Sequence, residues 1–521
     1  MQDLFFKQET KTLKPQNNNM KRHSLNKLST SGALGLLLVW SGSVAAEDYY
    51  AKTKGYRVEP EPDPPSYVRN LSKTQFEQFR DVKWLDVGLD FRTRYEYREN
   101  DYRPTGTRFK NDPDNLWLLR TRAYVGIHDI LDPFRFVVEA QDSRSYNSLY
   151  AKTNSDVNEF DLIQGYGELY FENALGHNRP LSIRAGRQSL ELLDRRLIGN
   201  NQFRNTTNNF EGYRVRFGKK QNNWDLDTFA FQPVDRIMNE FDQPDEDTWV
   251  YGAVLSIKQW SEFITIQPYF LGHKVDGDPY NAVNASRKAD VDVYAPGLRI
   301  YGVIPDTGFD YDTDINKQFG RFGKLSSTGR RTQTLQQHDA IAYSLELGYT
   351  FDHDWKPRAS AYYGYGSGDK SANDTTNQNL DTFFGFNQPW SRNDYFSWNN
   401  IHAPKVRLEF TPYKDVQIDT GYNAYWMASD GGGWNRAGLT GANGKTFLGH
   451  EFDIRLRHKL NAYVDWSLSY ARFTPGDYTT SQNGVRQSAT ATGAPFTNEP
   501  GNFFYFEVSL NAFGDGKPTY K

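Results

Sequence analysis

From Trp84 onward, long and short connections take turns between stretches of two-residue periodicity, and this ordering limits the possible folds more than any other feature. The first stretch sets the pattern. Leu85, Val87, Leu89, Phe91, Thr93, Tyr95 and Tyr97 alternate with Asp86, Gly88, Asp90, Arg92, Arg94, Glu96 and Arg98. Successive side chains of a strand point to opposite faces, so one face is apolar and aromatic and the other charged. The pattern returns in Val416–Trp426 and again where Phe452, Ile454 and Leu456 alternate with Glu451, Asp453, Arg455 and Arg457. It predicts about eighteen strands, from near 85–98 to near 502–513. Long connections fall at about 99–115, 146–160, 190–208, 233–247, 275–290, 323–338, 367–398, 430–446 and 474–501. Between them lie tight turns such as Pro305–Thr307, Tyr413–Asp415 and Asn461–Tyr463. A soluble sandwich or propeller has no reason to sort its loops by parity. A transmembrane barrel does, with long loops at one membrane face and short turns at the other.

Composition agrees with an all-β, up-and-down antiparallel barrel of about eighteen strands. Aromatic residues make up 15% of the 521 residues, yet mean hydropathy is -0.76. Beyond the N-terminus no apolar run approaches the roughly 20 residues of a spanning helix. Lys+Arg 61 against Asp+Glu 64 gives a net charge of -3, without the basic excess of a nucleic-acid binder. With no cysteine there is neither a disulfide framework nor a thiolate metal site.

The N-terminus reads as an export signal over residues 1–46. Lys21, Arg22 and Lys27 precede the apolar Gly32–Trp40, and Val44-Ala45-Ala46 supplies small residues for cleavage before Glu47. The long charged stretch before it makes Met20 an alternative start. Residues 47–83 carry the proline-dense EPEPDPPSY and are expected to form an extended arm outside the barrel wall. The barrel is expected over 84–513 and a tail over 514–521, in the outer membrane of a Gram-negative envelope.

Catalytic patterns are missing from the sequence. The histidines show neither HExxH nor His-x3-5-His spacing, and no G-x-S-x-G elbow occurs. Asp369, Asp374 and Asp381 sit in a polar loop without calcium-loop spacing. The sequence therefore predicts no enzyme, no cofactor and no metal, although a barrel enzyme built from separate strands stays an alternative. The informative set is the inward row: Arg92, Arg94, Arg120, Arg122, Arg184, Arg214, Arg216, Arg299, Arg407, Arg455 and Arg457. Facing carboxylates such as Asp90, Glu168, Asp227, Asp419 and Asp453 make cross-strand ion pairs one reading of this row. The other is an anion-attracting lumen, since the planar guanidinium fork suits carboxylates and an eighteen-strand barrel leaves an aqueous channel unless loops fill it.

The segments Trp84–Arg103, Arg184–Asn200, Gly421–Trp434, Gly449–Tyr478 and Asn502–Phe513, in this order, resemble the alginate-export family of outer-membrane porins. The resemblance implies an eighteen-stranded barrel passing an anionic uronate polysaccharide or oligosaccharide through an Arg-lined lumen. Outer-membrane lipid and periplasmic export partners would surround it. Two features depart from the pattern. The chain continues past Phe513, and the Asn461–Tyr463 turn leaves no room for a periplasmic plug there. A general or nutrient-uptake porin without uronate preference is the competing expectation.

Overall fold

A computed structural model describes residues 53–514 except 57, 104–112, 259, 261–262, 278–287, 326–332, 372, 435–442 and 482–497. The export signal and the tail beyond 514 lie outside the described residues. Eighteen long strands form the wall. The first nine are β1 (Leu85–Glu99), β2 (Asp114–Leu131), β3 (Phe134–Tyr146), β4 (Asn158–Phe171), β5 (Leu181–Gln188), β6 (Phe210–Phe217), β7 (Trp224–Asp235), β8 (Thr248–Ile257) and β9 (Thr265–Val275). The second nine are β10 (Val291–Val303), β11 (Phe309–Leu325), β12 (Gln333–Thr350), β13 (Arg358–Gly366), β14 (Ile401–Tyr413), β15 (Val416–Trp426), β16 (Phe447–Lys459), β17 (Val464–Pro475) and β18 (Gly501–Asn511). Each pairs antiparallel with the next. The ring closes where Asp90–Glu99 of β1 pairs with Asn502–Asn511 of β18. Closure satisfies every wall strand on both sides, as the interior of a bilayer demands. No helix among the described residues is long and apolar enough to cross a membrane.

The alternation read from the sequence now has a physical cause on each face. Outside, Leu345, Leu347, Val406, Leu408, Ile454 and Leu468 form part of an exposed apolar band. Aromatic belts border it. Near the short turns Trp355 stacks on Phe410 and Phe309 meets Tyr349 at 4.7 Å. Near the long loops Tyr95 meets Trp117 at 5.1 Å, and Trp426 meets Phe447 at 5.0 Å. Such girdles sit at the two membrane interfaces. His450 and His458 belong to this outward row, and His458 packs edge-on against Trp466.

The interior is not a clear tube. Long connections fold inward and build an aromatic core in the long-loop half. Trp390, Tyr395, Phe396 and Trp398 from the β13–β14 connection pack with Leu190, Leu197 and Ile198 from the β5–β6 connection, and with Tyr425 and Phe473 of the wall. Phe396 lies 3.8 Å from the Tyr425 ring centre and 4.9 Å from that of Trp434.

The Pro-rich arm also differs from expectation. It lies inside the wall rather than outside. Val68–Asn70 pairs with Asp86–Gly88, extending the seam below β18. The preceding residues run across the lumen, from Tyr67 hydrogen-bonded to Glu139 of β3 to Thr53 donating to Asp312 of β11 at 2.6 Å. Proline lacks the N–H that would draw this segment into the sheet, and its carboxylates meet arginines within the barrel.

Candidate functional site

Two open spaces of the lumen border the arm. One, of about 590 Å³, is lined by Arg184, Arg214, Arg216 and Arg299 among others. The second, of about 910 Å³, is lined by Arg92, Arg120, Arg122, Arg455 and Arg457 among others. Thr53, Glu59 and Glu61 border both. Nine of the eleven arginines singled out in the sequence therefore reach open space. Arg94 and Arg407 are covered. Arg94 lies beneath Phe203, with its guanidinium carbon 4.2 Å from the ring centre, and Arg407 beneath Tyr56 at 3.4 Å.

Most of these arginines also hold the wall together. Arg299 pairs with Asp312 at 2.6 Å, and Arg94 joins Glu96 at 2.8 Å and Glu507 at 3.0 Å. Arg120 approaches Asp90 at 3.6 Å, and Arg92 approaches Glu507 at 3.6 Å. Arg92 and Arg122 further anchor the β5–β6 connection, donating to the Gln202 carbonyl at 2.9 Å and to the Thr207 hydroxyl at 2.6 Å. Asp419 gathers Arg407 and Arg455, each at 2.9 Å, and Arg457 at 3.8 Å. The ion-pair reading and the solute-facing reading thus coexist in the same side chains.

Charge at the open surfaces is unequal. Eight Arg and Lys side chains line the smaller space against five carboxylates of the wall and loops, namely Asp86, Glu168, Glu191, Asp225 and Asp227. In the larger one, nine Arg and Lys side chains of the wall and loops meet only Asp90, Glu409, Asp465 and Glu507. The arm supplies the compensating carboxylates. Asp63 accepts from Arg184 at 2.7 Å and lies 3.1 Å from Arg216. Glu61 takes hydrogen bonds from Asn200, at 3.3 Å, and from Gln202.

Sequence reasoning missed two groups here. Arg392, on the β13–β14 connection, reaches Asp419 at 2.7 Å, Asp453 at 2.9 Å and the Tyr56 hydroxyl at 2.6 Å. It ties loop, wall and arm at one point, and the aromatic density of the stretch around it is its one local signal. The arm's carboxylates did carry a signal, because acid and proline alternate strictly through Glu59-Pro60-Glu61-Pro62-Asp63-Pro64. Among the described residues no group of three His, Cys, Asp or Glu side chains is arranged to hold a metal ion. Asp381 instead engages His273 at 2.6 Å.

The two arm carboxylates respond oppositely to their surroundings. Removal from water, with Glu191 and Glu139 nearby, pushes the Glu61 carboxyl up to about 7 in spite of Arg122 and Arg120. Removal from water would raise Asp63 too, but Arg184, Arg216 and Arg214 outweigh it and hold that carboxyl well below the usual range. Docking favours the protonated form of a group whose pKa rises on docking. The Glu61 contribution is thus fully present below about 4.5 and lost as pH rises through about 7. Asp63 opposes this only below its ordinary 3.8. A nitroxide at Pro62→Cys, unique in a cysteine-free chain, should be less mobile at pH 5 than at pH 8. Glu61→Gln should flatten the response. Equal mobility at both pH values in the Glu61 protein would contradict this assignment.

A closed antiparallel barrel with an apolar belt between aromatic girdles, and a charged lumen plugged by its own segments, is an outer-membrane porin. The chain belongs to the Alginate export family, whose model matches residues 83–492. No protein of curated function matches it. Among solved structures it is similar to Pseudomonas aeruginosa OccK8 (OprE), with 12% identity, TM-score 0.53, and coverage of 82% of this chain and 98% of that one. Acinetobacter baumannii OccAB1 follows with 11% identity, TM-score 0.52, and coverage of 85% and 99%. Pseudomonas aeruginosa OccK2 (OpdF), solved in complex with glucuronate, shares 10% identity at TM-score 0.50, covering 82% and 97%. At these identities the likeness is one of fold.

Proposed function

We propose that the protein is a channel that passes anionic carbohydrate of the uronate class across the outer membrane. The observation that carries this reading is the cation surplus of the wall and loops at both open spaces. Confined cationic surfaces concentrate anions and select among them, and arginine forks suit a sugar carboxylate better than a neutral hydroxyl. The family's name, and the glucuronate bound to a barrel of the same fold, point to the same ligand chemistry.

Reversal potential and polymer block in planar bilayers test the reading. Arg457→Gln combined with Lys459→Gln removes two cations from the edge of the larger space. Each charge is worth roughly a few tenths to one kcal/mol across a wide, salt-filled lumen. The pair should therefore shift selectivity toward cations and raise the half-blocking concentration of oligomannuronate about fivefold. Block by neutral malto-oligomers should stay the same. A wild-type channel blocked equally by both sugars would instead be a general uptake porin.

A further inference from the structure

We propose that the Pro-rich arm is a tethered imitation of the substrate: Asp63 occupies a place in the lumen suited to the carboxylate of a uronate chain, which enters by displacing it. The inference rests on the channel reading above and identifies how its site is guarded at rest.

The local charge balance at Asp63 comes first. Arg184, Arg214 and Arg216 project from neighbouring strands β5 and β6. Glu168 serves Arg184 at 2.9 Å, and Asp227 takes a hydrogen bond from Arg214 at 2.9 Å. Two wall carboxylates thus face three guanidinium groups, and the third carboxylate is Asp63. It bridges Arg184 and Arg216 from the arm, as a hexuronate carboxylate could. With Asp63 gone, the nearest ion-pair approach of Arg216 is Glu168 at 3.9 Å. The place is chemically defined even when the arm is elsewhere.

Spacing comes second. In extended Pro-rich backbone, residues two apart lie about 6 Å apart along the chain. Glu59, Glu61 and Asp63 carry one carboxylate at every second residue, much as a polyuronate carries one per sugar. The neighbours of Glu61 differ. Gln202 and Asn200, both uncharged, donate to its carboxyl, and Glu191 lies against its backbone N–H, a place suited to an uncharged sugar oxygen.

Replaceability comes third. The segment from Glu59 to Asp63 joins no strand and borders open space along its length. The Asp63 side chain is 33% exposed, so a ligand reaches its arginines without any movement of the wall. On either side the arm is anchored by buried tyrosines. Tyr56 sits over Arg407 and bonds Asp419 at 3.1 Å, while Tyr67 bonds Glu139. The stretch between them can bow away while its ends stay seated.

The test uses the full-length protein in liposomes and bilayers, with a nitroxide at Pro62→Cys and oligomannuronate as probe. Oligomannuronate should mobilise the label over the concentration range in which it blocks current, and malto-oligomers should not. Asp63→Asn removes two charge-assisted contacts, so the label should be mobile without ligand and the half-blocking concentration should fall about tenfold. Arg216→Gln should raise it. If oligomannuronate blocks the wild-type channel while the label stays immobile and Asp63→Asn leaves block unchanged, the arm is a structural strut and the inference is overturned, with the channel reading intact. If Asp63→Asn frees the arm but oligomannuronate neither blocks nor mobilises, the uronate reading itself fails and takes the imitation with it. Equal mobilisation by neutral sugars would also overturn the inference.

Discussion

Asp419→Asn should lower the temperature at which the folded, fast-migrating band converts to the unfolded one on gels more than any substitution in the two open spaces. Asp419 is fully buried on β15, with Arg392 at 2.7 Å, Arg407 and Arg455 at 2.9 Å and Arg457 at 3.8 Å. Asparagine keeps the shape and removes the charge. Asp453, which also serves Arg392 and Arg407, is then left among the four guanidinium groups. Breaking a buried ion pair from one side costs about 3–5 kcal/mol, because the remaining charge is uncompensated. The loss should extend to the loop and the arm, since Arg392 and Tyr56 both meet at this carboxylate. An unchanged conversion temperature would mean that water reaches these arginines and screens them.

Phe396→Ala should separate the plug from the wall. Phe396 is 2% exposed and stacked between Tyr425 and Trp434, and truncating a buried phenylalanine costs about 3–5 kcal/mol. The ring packs on wall side chains but takes no part in the backbone hydrogen bonds that join the strands, so barrel stability on gels should change little. The inward docking of the β13–β14 connection should weaken instead, by roughly a thousandfold in population at about 4 kcal/mol. Trypsin gives a direct readout, because Arg392 is 2% exposed and Lys370 is already accessible. Cleavage after Arg392 should be slow in the wild type and rapid in the variant, and bilayer conductance should rise. A variant as resistant at Arg392 as the wild type would mean that the ion pairs alone hold the loop.

The wall was legible because lipid on one side and a charged interior on the other impose a period of two on every strand. Leu85 to Arg98 shows this without ambiguity, as does β16, where buried Glu451, Asp453 and Arg455 alternate with exposed Phe452 and Ile454. The contents of the lumen were harder to read. A loop folded into a barrel has no periodicity, since its neighbours come from all around the ring. Its composition was the available clue. The stretch Asn387–Trp398 (NQPWSRNDYFSW) carries four aromatic residues in twelve, more than a solvated loop needs. The arm was misplaced for a related reason. Proline-rich, acidic sequence is usually solvated, and only the surplus of arginines on distant strands makes the lumen its better environment. That surplus is visible only once the strands are assembled into a ring.

The seam between β1 and β18 has a consequence for how the molecule is made. Asp90 pairs with Asn511, about 420 residues further along, whereas every other pair of wall strands consists of chain neighbours. All the hairpins can zip as their strands emerge, but the ring waits for the last of them, and such distant pairing is slow to find. Until then both terminal edges stand open in a medium that satisfies neither. The arm, attached directly ahead of β1 and already paired with it through Val68–Asn70, can be laid across the curved sheet from the open side before the gap shuts. Biogenesis would then load the lumen and seal it in one sequence, and a chain cut short before Gly501 would have no partner for its first strand.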